Sequence, residues 1–224
     1  MIRPEIVARR IGLEQQPIVM IDNFHPDPHQ LCRVAQSTPF ETALSHYPGI
    51  RAPLPADYFA QVRVPLVSAL HEAFGHDGAI DLVDASFSIV TTPPAELTIE
   101  QRLPHVDAVQ PNRIALVHYL SHDDRDGTAF FRHRSTGFEA INERRSAAYF
   151  AMLNGELREA APPQTYIDDS NPLFERIAGF EARYNRAIIY RSANLHSGAI
   201  RPGAMLDASP VTGRLTVTAF LSAQ

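Results

Sequence analysis

Arg102-Leu103-Pro104-His105-Val106-Asp107 is the stretch from which the rest of this chain is read. Side chains alternate along an extended segment, so His105 and Asp107 project from one face. An imidazole and a carboxylate side by side form two corners of a metal site. The third corner is expected from far along the chain, and His196 is the candidate. Two imidazoles and one carboxylate on one face of an octahedral ion leave three positions open for other ligands.

Taken alone, a His-x-Asp tripeptide is a weak signal in a chain with 10 histidines. The commoner role of a lone histidine is a hydrogen-bonded strand or surface residue. The segments further along change that balance. Ala187-Ile188-Ile189-Tyr190-Arg191-Ser192 is an apolar strand running into a turn, and His196-Ser197-Gly198 follows at once. This puts His196 at a strand end, where a side chain can face a cavity mouth. In Arg214-Leu215-Thr216-Val217-Thr218 three polar side chains share one strand face. An inward arginine is costly unless paired, and its planar fork suits a carboxylate.

Composition sets the limits. The 224 residues fit one domain. Hydrophobic residues make up 45% and charged residues 20%, as in ordinary globular proteins. The net charge of -5 offers no basic surface for nucleic acid. There is no lysine, so Schiff-base chemistry through lysine is excluded and any anion must be held by arginine, hydroxyls or backbone. The single cysteine, Cys32, rules out an internal disulfide framework and points to a reducing, cytoplasmic setting. Residues 1–13 carry charges throughout and lack the apolar run of a secretory signal. No apolar stretch approaches a membrane span.

Along the chain, Pro17 to Phe24 reads as a buried strand. Asp27-Pro28 caps a helix reaching about Ala35, with Leu31, Val34 and Ala35 inward. Thr38 to Pro55 lacks periodicity and reads as an ordered loop. Ala56 to Phe74 is an amphipathic helix closed by Gly75. From Ala79 the pattern turns to short strands: Ile80 to Val90, Leu97 to Asp107, Arg113 to Leu120, Thr128 to His133, Arg186 to Arg191 and Arg214 to Leu221. Asp123 to Gly127 reads as a charged hairpin turn. Helices are expected over Phe138 to Glu159, broken near Asn154-Gly155, and over Pro172 to Tyr184. His118 alternates with Ile114, Leu116 and Leu120, opposite to Tyr119, and reads as structural; His122, Asp123, Asp124 and Asp126 read as a solvated turn. About eight strands in the second half, with proline- and glycine-rich turns, suggest a barrel or sandwich.

The ordered set of motifs resembles the Fe(II)/2-oxoglutarate-dependent dioxygenases, in their prolyl-hydroxylase-like branch. Ile18 to Pro28 resembles the opening strand and turn of that branch. His105-Val106-Asp107 matches its His-x-Asp motif, and Val117-His118-Tyr119-Leu120-Ser121 resembles the strand that follows. Asp126-Gly127-Thr128-Ala129-Phe130 resembles the hairpin return, with one glycine where two are common. Ser192 to Gly198 resembles the distal histidine segment, and Arg214-Leu215-Thr216 the Arg-x-Ser element of the last core strand. Tyr47-Pro48-Gly49-Ile50-Arg51-Ala52-Pro53 looks like an uncharacterised bacterial subfamily.

The resemblance implies a single domain over 1–224: a helical support region at 1–78 and a double-stranded β-helix core at 79–224. The fold class is α+β, mainly β, jelly-roll and cupin-like, with the N-terminal helices packed on one outer sheet. It implies iron held by His105, Asp107 and His196. Arg214 would bind the distal carboxylate of 2-oxoglutarate, with Thr216 and Tyr119 adding hydroxyl hydrogen bonds. The keto-acid end would chelate Fe(II), leaving a position for O2, and a C–H bond of an amino-acid, peptide or small-metabolite substrate would be oxidised. Arg214 lies further beyond the distal histidine than is usual, so residues 203–210 must loop out, and Arg201 is the rival anchor. An aspartate at the carboxylate corner argues against the halogenase variant. The alternatives are a non-catalytic metal-binding β-helix protein and a zinc hydrolase, which needs a general base and has no use for Arg214. The partner expected is a small-molecule or peptide substrate, with no nucleic acid and no membrane; a homodimer is among the open oligomeric states.

Overall fold

The computed structural model describes residues 3–43, 46–122, 126–204 and 206–223. Glu5–Ile11 (β1) and Gln16–Asp22 (β2) form a hairpin, followed by the helix Pro28–Ser37 (α1). The short strands Glu41–Thr42 (β3) and Gly49–Pro53 (β4) precede the helix Tyr58–Phe74 (α2). Then come Ile80–Val90 (β5), Arg113–Tyr119 (β6), Thr128–His133 (β7) and the helix Glu143–Glu159 (α3). The chain closes with Phe174–Phe180 (β8), Arg186–Arg191 (β9), His196–Gly198 (β10) and Leu215–Ala223 (β11).

Two antiparallel sheets face each other. The larger runs β1-β2-β9-β6-β11-β5-β4-β3, the smaller β10-β7-β8. Period-two alternation gives each central strand two apolar faces. On the outer face of the large sheet, Val19, Ile21, Ile114, Leu116, Ile189, Val217 and Leu221 pack against Leu31, Val62, Leu66 and Leu70 of α1 and α2. On its inner face Ile18, Ala115, Tyr119, Ile188 and Tyr190 meet Phe130 and Phe180 of the small sheet. Ala129, Phe131 and Phe174 bury the small sheet's other face under Tyr149 and Leu153 of α3. The layers are therefore helices, large sheet, small sheet, helix: a mainly β, jelly-roll-like sandwich with the N-terminal helices on one outer sheet.

Local chemistry accounts for the helix ends. Asp27 Oδ1 accepts from Gln30 N at 2.9 Å, and Pro28 takes the first turn of α1, where a missing N–H is harmless. Gly75 closes α2 in the left-handed conformation, φ 69°.

Several segments differ from expectation. Within 172–184 the chain forms the strand β8, Phe174–Phe180, rather than a helix, because the free edge of β7 needs a partner and pairing overrides propensity. Leu97 to Asp107 is not a regular strand: two 3-10 turns, Pro94–Glu96 and Glu100–Arg102, lead to a single bridge between His105 and His196. Strands β6 and β7 lie in different sheets, so the connection between them is a crossover rather than a hairpin; its residues 123–125, Asp123 and Asp124 among them, lie outside the described ones. The expected loop at Thr38 to Pro55 contains β3 and β4, which extend the large sheet beyond β5. α3 is unbroken and starts at Glu143, capped by Asn142 accepting from Arg145 N. β1 has an almost entirely exposed face, which is why no apolar pattern marks it.

Candidate metal centre

Backbone pairing builds the centre. His105 N donates to His196 O at 2.9 Å and His196 N to His105 O at 3.0 Å. Residues opposite each other in an antiparallel pair carry their side chains on the same side, so two imidazoles from distant segments stand together, ring centroids 4.3 Å apart. Asp107 N donates to Ser192 O at 2.9 Å, which ties the carboxylate to the end of β9. β10 in turn pairs with β7, setting His196 opposite Phe130. The expected ligands thus come together: one donor atom from each of His105, Asp107 and His196 lies within 4.8 Å of the others.

The donor chemistry fits a cation. His196 Nδ1 donates to Asn194 O at 2.9 Å, which leaves a lone pair on Nε2. That lone pair faces Asp107 Oδ2 at 3.5 Å. Asp107 Oδ2 is buried with no hydrogen-bond partner. Two electron-rich atoms aimed at each other repel unless a cation or proton lies between them. His105 Nε2 stands 3.6 Å from Asp107 Oδ1. These gaps are on the scale spanned by two metal–ligand bonds of about 2.0–2.2 Å each. Desolvation pushes the Asp107 carboxyl up to about 6 and His196 down to about 4. Desolvation and the adjacent His196 push His105 to about 4. At neutral pH all three therefore present free lone pairs.

The centre opens into a cavity of about 730 Å³ between the sheets. Arg214 lies along the same cavity. Its Nε donates to Asp126 O at 3.1 Å and its Nη2 to Gly127 O at 2.9 Å. Its guanidinium carbon sits 5.5 Å from the centroid of the Tyr119 ring. Among the described residues no carboxylate pairs with it, and the remaining N–H groups are left for a ligand. Tyr119 OH and Thr128 Oγ1 are 2.6 Å apart; one hydroxyl proton is used between them, and the other remains to donate. Thr216, opposite Tyr119 in the sheet, donates to Ser88 O at 3.2 Å. Arg201, the rival, turns instead to Asp126, Nη1 to Oδ1 at 3.2 Å. The described residues among 203–210 form no helix or strand, and Leu206 packs against the cluster that holds Tyr166 and Ile200.

Sequence reasoning missed Tyr47, Arg51, Arg113 and Thr128, all of which line the cavity. Burial raises the Tyr47 hydroxyl against the pull of Arg214, Arg51, Thr216 and Ser88. Arg51 lies 4.8 Å over the Tyr47 ring and 3.6 Å from Asp84. The run from Tyr47 to Pro53 was the available signal for two of these. His118, expected to be structural, is fully buried in the helix-facing core, bonded to Tyr58 and Asn185. Cys32 is half-buried against the same core, its thiol raised by burial.

The fold and centre define an antiparallel β-sandwich that carries two histidines and an aspartate at the mouth of an inter-sheet cavity. The chain belongs to the family described as "Family of unknown function (DUF6445)", whose model matches residues 2–221. No curated protein matches it. Among solved structures it shares the fold of HygX from Streptomyces hygroscopicus with nickel, 2-oxoglutarate and hygromycin B bound, at 8% identity and a TM-score of 0.51, covering 94% of this chain and 84% of that one. HygX with iron bound aligns over the same shares at 11% identity and a TM-score of 0.48.

Proposed function

We propose that this protein is an Fe(II)- and 2-oxoglutarate-dependent oxygenase on a double-stranded β-helix core, oxidising a C–H bond of a small molecule or of an amino-acid or peptide side chain. The observation that carries the reading is the buried, unpartnered Asp107 Oδ2 facing the His196 lone pair, in a cavity that also holds Arg214, which meets no carboxylate among the described residues. HygX, whose fold this chain shares, has nickel and 2-oxoglutarate bound, which accords with this reading.

His105, Asp107 and His196 would hold the ion. Iron with bound keto acid supplies the O2-dependent oxidation, in which 2-oxoglutarate, O2 and a C–H substrate give succinate, CO2 and the hydroxylated product. The chain's own residues position and exclude. Arg214 is fixed in plane by its two backbone acceptors and presents its remaining N–H groups to the distal carboxylate. The free proton of the Tyr119–Thr128 pair adds a neutral donor beside it. Asn194 O fixes the His196 tautomer, so no proton competes at Nε2. Tyr190 and Phe130, with ring centroids 4.7 and 6.3 Å from His196, keep water from its buried side.

The test is succinate formation from 2-oxoglutarate in air with Fe(II). Wild type should form succinate slowly even without a primary substrate, and Asp107→Ala should form none. Equal succinate from both proteins, or none from wild type at millimolar 2-oxoglutarate, contradicts the proposal.

A further inference from the structure

Arg113 opens β6 with its side chain on the cavity face, in period-two register with Ala115 and Val117, which line the same cavity. Its backbone is tied to the metal centre through one residue: Ser192 N donates to Arg113 O, and Ser192 O accepts from Asp107 N, both at 2.9 Å. The Nε of Arg113 is buried without a hydrogen bond. Among the described residues no acceptor meets any nitrogen of its guanidinium. Arg51, whose Nε is likewise buried without a hydrogen bond, has its charge met by Asp84 at 3.6 Å and by the Tyr47 ring, and Arg214 bonds the carbonyls of Asp126 and Gly127; among the described residues Arg113 has no such carboxylate. Arg113 is half-buried, so the cost falls on its buried Nε–H, which an anion accepting from the Nε edge of the guanidinium would relieve.

That anion is not the one assigned to Arg214. Tyr119 and Thr216 lie opposite each other at one end of the β6–β11 pair, and Arg113 and Ser222 at the other. At about 3.4 Å per residue these ends are about 20 Å apart, beyond the reach of one five-carbon diacid. Between them, Ala115 beside Phe220 and Val117 beside Thr218 make a largely apolar floor.

We propose that Arg113 holds a carboxylate of the primary substrate, whose apolar body lies along Ala115, Val117 and Phe220 towards the metal centre. A single planar fork matches a carboxylate in two-point contact. The inference rests on reading this cavity as the iron and 2-oxoglutarate site, and it makes the substrate a carboxylic acid rather than a neutral or cationic molecule.

The probe is 4-phenylbutyrate, with 4-phenylbutyramide and 4-phenylbutylphosphonate as comparisons. Each is titrated calorimetrically into the full chain loaded with redox-inert Mn(II) and saturated with 2-oxoglutarate. Binding of Mn(II) and 2-oxoglutarate is measured first; its failure counts against the function, separately from Arg113. With both bound, the carboxylate should bind at least tenfold tighter than the amide. Arg113→Gln should weaken it at least tenfold at unchanged Mn(II) and 2-oxoglutarate affinity, and Arg113→Lys should recover part of the loss. No carboxylate binding, equal binding of the amide, tighter binding of the phosphonate, or an Arg113→Gln protein that binds the carboxylate as wild type does would each overturn the assignment. If Arg113→Gln does not fold, Arg113→Lys decides alone: affinity equal to wild type for acid and amide alike overturns it.

Discussion

Asp107 is the residue at which stability and function oppose each other. Its Oδ2 is buried, accepts no hydrogen bond and faces a lone pair of His196. An amide in its place can donate to that lone pair. Asp107→Asn should therefore stabilise the metal-free protein, by about 1 kcal/mol for one hydrogen bond gained, while cutting metal affinity at least a hundredfold. Urea melts of the metal-free proteins and equilibrium dialysis with Mn(II) check the two signs; a loss of stability would mean that the carboxylate is satisfied in the metal-free fold. At the other side of the cavity, Arg214→Ala removes the candidate carboxylate anchor. A charge-assisted hydrogen bond contributes about 1.5–3 kcal/mol, so 2-oxoglutarate binding should weaken by about 10- to 100-fold with Mn(II) binding retained. Arg201→Ala, which removes a partner of Asp126, should change it far less. Calorimetric titration of both variants decides between the two arginines. The three candidate ligands were legible because His-x-Asp and the post-strand histidine are local patterns. Arg113 and Thr128 were not, because each is an ordinary strand residue whose role exists only once two sheets face each other.

Among the elements, those with a strong single period were legible and those made by pairing were not. α2 announces itself by Val62, Leu66, Leu70 and Phe74 at helical spacing, all buried. β8 does not: its burial does not alternate cleanly, and Arg176 folds over Gly179 where a side chain would stand. It is a strand because β7 requires one. The ligand segment was expected as a continuous strand, yet only one bridge and two backbone bonds hold His105 against His196. The crossover into β7 carries a sharper constraint. A Cβ on Gly127 would stand 1.8 Å from Phe180 O, and Gly127 O accepts from Arg214. Gly127→Ala must push β7 from β8 and shift that acceptor. Overpacking of this kind costs about 1–3 kcal/mol, so the variant should melt several degrees lower and bind 2-oxoglutarate more weakly than wild type in the same thermal-shift series.

On the scale of the molecule, a mainly β fold with N-terminal helices on one outer sheet was legible, whereas residues 1–78 were expected as helical support and in fact also supply β1 to β4 of the large sheet. Of the four strands before residue 80 only β2 was legible; β1, β3 and β4 were hidden, being short or exposed edges with little apolar pattern. The helix-facing core carries a pH dependence. His118 is fully buried, accepts from Tyr58 OH at 3.1 Å and donates to Asn185 Oδ1 at 3.0 Å, and desolvation lowers it to about 3. The unfolded chain takes up its proton near pH 6.5, the fold only near 3, so this contribution is whole above pH 6.5 and is lost as pH falls towards 3. Between pH 7 and 4 it amounts to about 3 kcal/mol. Metal-free wild type should lose that much more unfolding free energy over this range than His118→Gln; parallel slopes would contradict the burial of a neutral imidazole. The central claim, that His105, Asp107 and His196 hold iron beside a 2-oxoglutarate bound at Arg214, is tested most directly by an anaerobic visible spectrum. Fe(II) and 2-oxoglutarate added together should produce a weak metal-to-ligand charge-transfer band that neither gives alone, absent in His196→Ala and appearing only at higher 2-oxoglutarate in Arg214→Ala. No band from wild type under saturating Fe(II) and 2-oxoglutarate, or the same band from His196→Ala, contradicts it.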